Sequence, residues 1–259
     1  MPKAAAPAKG TRPEGAQTEA DAGRQVREMF TQIAPRYDLL NHLLSLQLDR
    51  LWRARVAKRL SAVLGHSQTS VLDLCCGTGD LAIMLARRYR TRMIGADFAH
   101  PMLVRARQKS ASLHSKTVAQ LRPIKFVEAD ALSLPFAEGS FDVVTTAFGF
   151  RNLANYEAGL REIRRILKPG GTLAILEFTE PAAGFLGDLY RWYFRKILPR
   201  IGRLLSGDRS AYSYLPNSVS RFLRPTELAS LMTKAGYQSA QFDVWTFGTV
   251  ALHTASKPL

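Results

Sequence analysis

Cysteine is nearly absent from this 259-residue chain: there are two, Cys75 and Cys76, and they are neighbours. Adjacent cysteines have poor geometry for bridging. No disulfide framework is therefore expected, and two reduced thiols suit a cytosolic protein. Nor do the Cys and His residues fall at metal-ligand spacing. Long hydrophobic runs are missing too, with nothing near the roughly 20 apolar residues of a membrane span. The first 23 residues lack the apolar stretch of a secretory signal. Their Ala, Pro, Gly, Thr and Lys content reads as a disordered tail over residues 1–24. Acidic residues are scarce: 21 against 36 basic ones leave a net charge of +15. The tail is balanced, so the excess lies in the folded part. It suits a polyanionic partner, nucleic acid or an anionic membrane surface, or it serves solubility alone.

What is present centres on residues 70–83. Val71, Leu72 and Leu74 form a short apolar run that breaks at Gly77 and Gly79 and resumes at helical spacing as Leu81, Ala82, Leu85 and Ala86. This predicts a buried strand, a tight glycine turn and a helix whose N-terminal N–H groups face a ligand. The spacing is not Gly-x-Gly-x-x-Gly, and Asp73 precedes the turn, where a carboxylate can accept from an amino group. A nucleoside carrying an amino acid fits better than a pyrophosphate. Asp97 closes the next apolar run roughly 20 residues on, where an acidic residue can hold ribose hydroxyls.

Two helical segments, 25–34 and about 41–64, come before the first strand and are expected to cap the sheet. Strands are then expected at 70–75, 92–97, 124–129, 141–147 and 172–178, with helices at 80–90, 101–110 and 156–167. Lys168-Pro169-Gly170-Gly171 reads as the stop of helix 156–167. Helix 225–235 and strands near 238–244 and 249–256 follow. This rhythm means an α/β fold with a mostly parallel sheet and ligands at the carboxyl ends of its strands. Asp97, Asp130 and Phe148–Asn152 all fall at such ends. From 181 to 216 the rhythm breaks. Residues 187–209 carry six basic residues against two acidic ones, beside Tyr190, Trp192, Tyr193 and Phe194, a composition suited to a membrane interface.

Asp73-x-x-x-Gly77-x-Gly79, Asp97, Asp130-Ala131 and Leu167-Lys-Pro-Gly-Gly171 resemble the class I S-adenosylmethionine-dependent methyltransferases. Tyr37-Asp38-Leu-Leu-Asn41, Arg50-Leu-Trp52-Arg53, Cys76-Gly-Thr-Gly-Asp80, Phe148-Gly-Phe-Arg151-Asn152, Leu176-Glu177-Phe178 and Tyr214-Leu-Pro-Asn-Ser218 are similar, more narrowly, to the UbiE/MenG family of quinone C-methyltransferases. The similarity spans residues 25–257. It implies a Rossmann-like seven-stranded sheet with the last strand antiparallel, a helical cap over 25–66 and a helical insertion over 181–216 facing substrate or membrane. It also implies S-adenosylmethionine as cofactor, held by Asp73, Gly77, Thr78, Gly79, Asp97, Met102, Asp130, Ala131 and Ala147.

In that resemblance Arg151 stabilises an oxyanion on the acceptor, Asn152 orients its hydroxyl or a water, Tyr37 closes over the methyl donor, and His42 is a candidate base. The acceptor implied is a ring carbon of a polyprenylated demethylmenaquinol, because Cys75-Cys76-Gly77-Thr78 resembles the menaquinone branch. A methoxy-benzoquinol of ubiquinone biosynthesis, and a small-molecule N- or O-methyltransferase, stay open. A nucleic-acid methyltransferase is disfavoured: residues 145–149 lack the Pro-Pro-aromatic loop that grips a flipped base. The setting implied is the cytoplasm, with peripheral contact at the anionic inner face of the membrane; a homodimer is left open. Gln47, Asp49, Ala147 and Phe247 depart from the family, which usually has Gly, His, often Ser and often Gly there.

Overall fold

The computed structural model describes residues 10–45, 47–66, 68–114, 122–181, 184 and 210–259. The basic segment 187–209 and nearly all of the expected 181–216 insertion up to residue 209 lie outside the described residues, as does the side chain of His42.

Seven strands form one sheet: β1 (Ser70–Leu74), β2 (Arg92–Asp97), β3 (Lys125–Glu128), β4 (Phe141–Ala147), β5 (Leu167–Phe178), β6 (Gln238–Trp245) and β7 (Val250–Ser256). Their order is β3-β2-β1-β4-β5-β7-β6. β7 runs antiparallel to both of its neighbours, and the pairs from β3 to β5 are all parallel. The strand order reverses at β1, between β2 and β4, and opens a crevice at the carboxyl ends there.

Both faces of the sheet are covered, so successive residues of β1 and β4 are buried whichever way they point. On one face Leu72, Val144, Leu173 and Ile175 pack against Leu160, Ile163 and Ile166 of α7 (Tyr156–Ile166) and Leu228 and Met232 of α9 (Pro225–Lys234). On the other, Val71, Val143, Ala174 and Leu252 meet Leu81 and Leu85 of α5 (Asp80–Arg88). The same layer holds Trp52 and Val56 of α3 (Leu48–Arg59) and Leu64 of α4 (Ser61–Leu64). Trp52 is wholly buried and donates through Nε1 to Thr246 Oγ1 at 2.8 Å. α6 (His100–His114) packs Leu103 and Ala106 on Phe126 of β3.

Three expectations need correction. Residues 10–24 are not a bare tail. α1 (Glu19–Ile33) begins at a capping box in which Thr18 Oγ1 accepts from the Asp21 N–H and Asp21 accepts from the Thr18 N–H. These two local bonds start the helix six residues before the expected start at 25. The expected 41–64 helix is three pieces, α2 (Tyr37–Leu44), α3 and α4. Finally, α7 ends at Ile166 and β5 starts at once: Leu167 pairs with Phe141 and Thr172 with Val143, so 168–171 bulge out of register. Their backbone bonds go to Lys257, with Gly170 N–H on Lys257 O at 3.0 Å and Lys257 N–H on Gly171 O at 2.9 Å.

Gln47 precedes α3 in the left-handed region, φ 65°, exposed and without a side-chain capping bond. That conformation costs a residue with a Cβ about 1–2 kcal/mol, and glycine pays part of this back in entropy. Gln47→Gly is expected to stabilise the protein by about 0.5–1 kcal/mol, read as a rise of a few degrees in a thermal melt.

Candidate active site

A cavity of about 680 Å³ opens at the carboxyl ends of β1, β2, β3 and β4, within the size range of cofactor sites. Four turns and α1 supply its walls. After β1, Cys75 and Gly77 stand at φ 53° and 55°; after β4, Phe148 stands at φ 62°. Backbone held in this region at strand ends is a mark of functional sites. The two turns touch so closely that a Cβ on Gly149 would lie 2.3 Å from the Cβ of Cys75. Burial and nearby carboxylates push both cysteine thiols up, so they stay protonated.

Asp97 is the cavity's central carboxylate. Its Oδ2 accepts from Gly77 N–H at 2.9 Å and its Oδ1 from Ala99 N–H at 2.9 Å, tying the end of β2 to the glycine turn. Burial raises it to about 6, against the pull of these N–H groups. Asp130 turns the chain after β3, accepting from Leu132 N–H at 2.9 Å, and Ala131 lies beside it on the wall. Phe98, Met102 and Leu132 give the apolar surface between them. Tyr37, at the start of α2, reaches the opposite end: its ring would meet a Cβ on Gly77 at 3.5 Å. Its phenol is hydrogen-bonded to Asn41, and burial raises it, so it is no base near neutrality.

Four of the implied cofactor residues lie outside this cavity, and three of them, Asp73, Thr78 and Ala147, line a small hollow beside it. Asp73 does not line this cavity. It is almost wholly buried, with Oδ2 accepting from Ala82 N–H at 3.0 Å and Oδ1 from Thr145 Oγ1 at 2.9 Å. It thus satisfies a free donor in the first turn of α5 and binds that helix to β1 and β4. Thr78 turns its hydroxyl away, to Asp38, and accepts from Lys109 Nζ at 2.9 Å. Lys109 also bridges Asp38 and Asp80, both at 2.7 Å, which fastens α2 to the glycine turn. Gly79 begins α5 against Ala106 and Phe126. Ala147 borders a small neighbouring hollow with Tyr37 and Arg53.

Burial raises Asp73 from an ordinary 3.8 to about 7. The folded state then binds this proton more tightly than the unfolded chain. Its contribution to stability is complete below about 3.8 and is lost as pH rises through about 7. Asparagine keeps an acceptor for Ala82 and a donor for Thr145. Asp73→Asn is expected to fold and to remove a decline of up to about 1.4 kcal/mol per pH unit between these limits, measured by denaturant unfolding across that range.

Arg151 is not among the residues that line the cavity. It lies behind the cavity wall, in the turn after β4, with Nη1 2.9 Å from Glu177 Oε2 on β5. It also donates to Phe148 O and contacts Ser218 Oγ through Nε at 3.4 Å. Glu177 Oε1 in turn accepts from Arg151 N–H at 3.0 Å. Its charge is spent on Glu177 and shapes the turn. Asn152 does line the cavity, as do Glu128, Arg27 and Phe30, which the sequence reading passed over. Arg27 and His100 both reach Glu128. Among the described residues, no three His, Cys, Asp or Glu are placed to hold a metal ion, and no helix is long and apolar enough to cross a membrane.

The acceptor-only carboxylate of Asp97 fits a vicinal diol, Asp130 an amino group, and the apolar strip a purine ring. A seven-stranded sheet in this order, with one antiparallel strand and a cavity at its switch point, is the architecture of the class I S-adenosylmethionine-dependent methyltransferases. More narrowly, residues 17–257 match the model of the ubiE/COQ5 methyltransferase family, and the chain belongs to that family. A demethylmenaquinone methyltransferase of Thermus thermophilus is 48% identical over 231 residues, 89% of this chain and 100% of that protein. Among solved structures, an S-adenosylmethionine-dependent methyltransferase of Thermotoga maritima superposes with a TM-score of 0.60 at 19% identity, covering 90% of this chain and 99% of that one. The [4+2]-cyclase SpnF gives 0.64 at 18% identity, covering 96% and 100%. A cyclase on this architecture means that the fold alone does not fix the reaction.

Proposed function

We propose that the protein methylates a ring carbon of demethylmenaquinol, giving menaquinol. When bound, S-adenosylmethionine supplies a methyl group already activated by its sulfonium. The chain's own task is alignment and charge stabilisation. Asp97 would take the ribose hydroxyls, Asp130 with Ala131 the adenine edge, and Met102 and Phe98 the ring faces. Tyr37 and Gly77 bound the methionyl end. The acceptor carbon is nucleophilic once a neighbouring hydroxyl has lost its proton, and the oxygen left behind needs a donor.

The observation that carries the reading is Asn152 on the same wall as Asp97 and Gly77. Its Oδ1 accepts from Tyr214 OH at 3.0 Å. Its Nδ2 has one partner among the described residues, Phe148 O at 3.5 Å. The amide is thus free to donate to an acceptor oxygen. In this reading Asn152 takes the oxyanion role, and Arg151 holds the turn that presents it. The naphthoquinol, rather than a benzoquinol, is supported by the name of the Thermus thermophilus relative. The test is anaerobic turnover with labelled cofactor and either reduced demethylmenaquinone or a reduced methoxy-benzoquinone. Methylation of the benzoquinol alone would move the protein to the other branch.

Such a substrate resides in a bilayer, and the charge of +15 suits peripheral contact with anionic lipid. Co-sedimentation with anionic and neutral vesicles tests this, comparing the wild type with a variant in which Arg191, Arg195 and Lys196 are changed to Glu. Binding that ignores lipid charge would exclude an electrostatic contact. Sedimentation of the same protein without lipid reports whether two copies pair.

A further inference from the structure

The segment just before the family match, Gly10 to Pro13, is seated on the turn that carries Asn152. Thr11 N–H donates to Leu153 O at 2.8 Å, and Arg12 Nη1 donates to Ala154 O at 2.7 Å. Gly10 lies flat on the next peptide, where a Cβ would stand 2.0 Å from Ala154 O. The chain passes between this turn and α8 (Ser210–Arg221), whose Arg221 donates to Arg12 O at 3.4 Å.

Three side chains line up across this junction. Tyr214 OH stands 3.0 Å from Asn152 Oδ1 and 3.1 Å from Thr11 Oγ1. Asn152 Oδ1 can only accept, so the phenol's single proton goes there. The Thr11 hydroxyl must then be the donor to the phenol oxygen. One proton order satisfies all three groups: Thr11 to Tyr214 to Asn152. Four residues along α8, on the same face, Ser218 Oγ meets Arg151 Nε. The helix thus touches both members of the Arg-Asn pair.

We infer that Thr11 and Tyr214 are positioning residues for Asn152, and that residues 10–13 form a strap that backs the active-site wall from outside the cavity. The hydroxyl relay fixes which way the Asn152 amide is turned. Oδ1 is held to α8, and Nδ2 is presented to the reacting oxygen. A neutral chain of hydroxyls does this without adding a charge next to the sulfonium. Chains of hydrogen bonds also strengthen one another when buried. The catalytic half of this inference rests on the donor role given to Asn152 above; the positioning half does not.

The experiment compares Thr11→Val, Thr11→Ser, Tyr214→Phe, the Thr11→Val/Tyr214→Phe double variant and Gly10→Val in the full chain. Cofactor affinity is measured by calorimetry, exchange of backbone amides in 148–155 by mass spectrometry, and methyl transfer with reduced demethylmenaquinone. Thr11→Val, Tyr214→Phe and Gly10→Val should each lower kcat about tenfold or more, the scale expected of a misplaced catalytic group. KM and cofactor affinity should stay within about twofold. Thr11→Ser restores the donor and should behave as wild type. The double variant should lose no more than Tyr214→Phe, since Thr11 acts through Tyr214. Exchange in 148–155 should rise in every impaired variant. Additive losses in the double variant, a Thr11→Ser enzyme as slow as Thr11→Val, or unchanged exchange would overturn the inference. A wild type inert towards the quinol would count against the proposed function, and the exchange pattern would still decide the strap.

Discussion

Asp97→Ala is expected to weaken binding of S-adenosylmethionine by about 30- to 1000-fold, equivalent to about 2–4 kcal/mol. Two losses add up. The carboxylate that would accept from both ribose hydroxyls is removed. In addition, the N–H groups of Gly77 and Ala99, each now 2.9 Å from it, lose their acceptor, so the glycine turn is no longer tied to β2. Asp97→Asn keeps one acceptor and should fall between the two. Because the folded carboxyl titrates near 6, wild-type affinity should decline as the pH is lowered through that value. Titration calorimetry decides the matter: an alanine variant that binds cofactor like the wild type would remove Asp97 from the site.

Arg151→Met should destabilise the fold by about 3–5 kcal/mol, the usual consequence of stranding one member of a buried ion pair. Glu177 is 1% exposed, and it also accepts from the N–H groups of Arg151 and Phe178 at 3.0 and 3.1 Å. The guanidinium further lies over the ring of Phe178, 5.5 Å from its centre. Glutamine at 177 would keep a carbonyl for the Arg151 N–H while removing the charge. The Arg151→Met/Glu177→Gln double variant should therefore recover most of the loss and still show impaired turnover, because the turn has lost its anchor. Denaturant unfolding of the three proteins supplies the numbers. A single-variant loss under about 1 kcal/mol would mean that Glu177 is not stranded when the guanidinium is removed.

The sheet was legible in the sequence because its strands and helices switch hydrophobic period at every boundary. That Asp97 and Asp130 line the cavity was legible because strand ends in such a sheet face the ligand crevice. What escaped reading had a common cause. Asp73 looks like a ligand by its type and place. The bonds that its oxygens accept from Ala82 N–H and Thr145 Oγ1 come from the next helix and from a strand 72 residues on, and no local pattern shows them. The partner of Arg151 stands on the adjacent strand, 26 residues away, and no local pattern links them. The strap escaped because it is held by backbone bonds, one hydroxyl and two guanidinium groups rather than by apolar side chains, so composition described it as a tail. Gln47 and Phe247, by contrast, replace residues that the family usually keeps as glycine. Both adopt left-handed backbone, φ 65° and 55°, so the departure was visible and its physical meaning was not.

The strap also sets an order of events for the nascent chain. Thr11 and Tyr214 are separated by 203 residues, and Arg12 and Arg221 by 209. At about 5–20 residues per second, Gly10 to Pro13 leave the ribosome roughly 10–40 s before their seat on α8 exists. Contacts that span most of the sequence bring their reward only after the intervening chain has condensed. Residues 10–13, made roughly 200 residues ahead of α8, are therefore among the last to dock. Polypeptides arrested before α8 emerges should carry a folded β1–β4 region and a free, protease-sensitive 10–13 segment, and emergence of α8 should bring protection to residues 10–13 and to the Asn152 turn together.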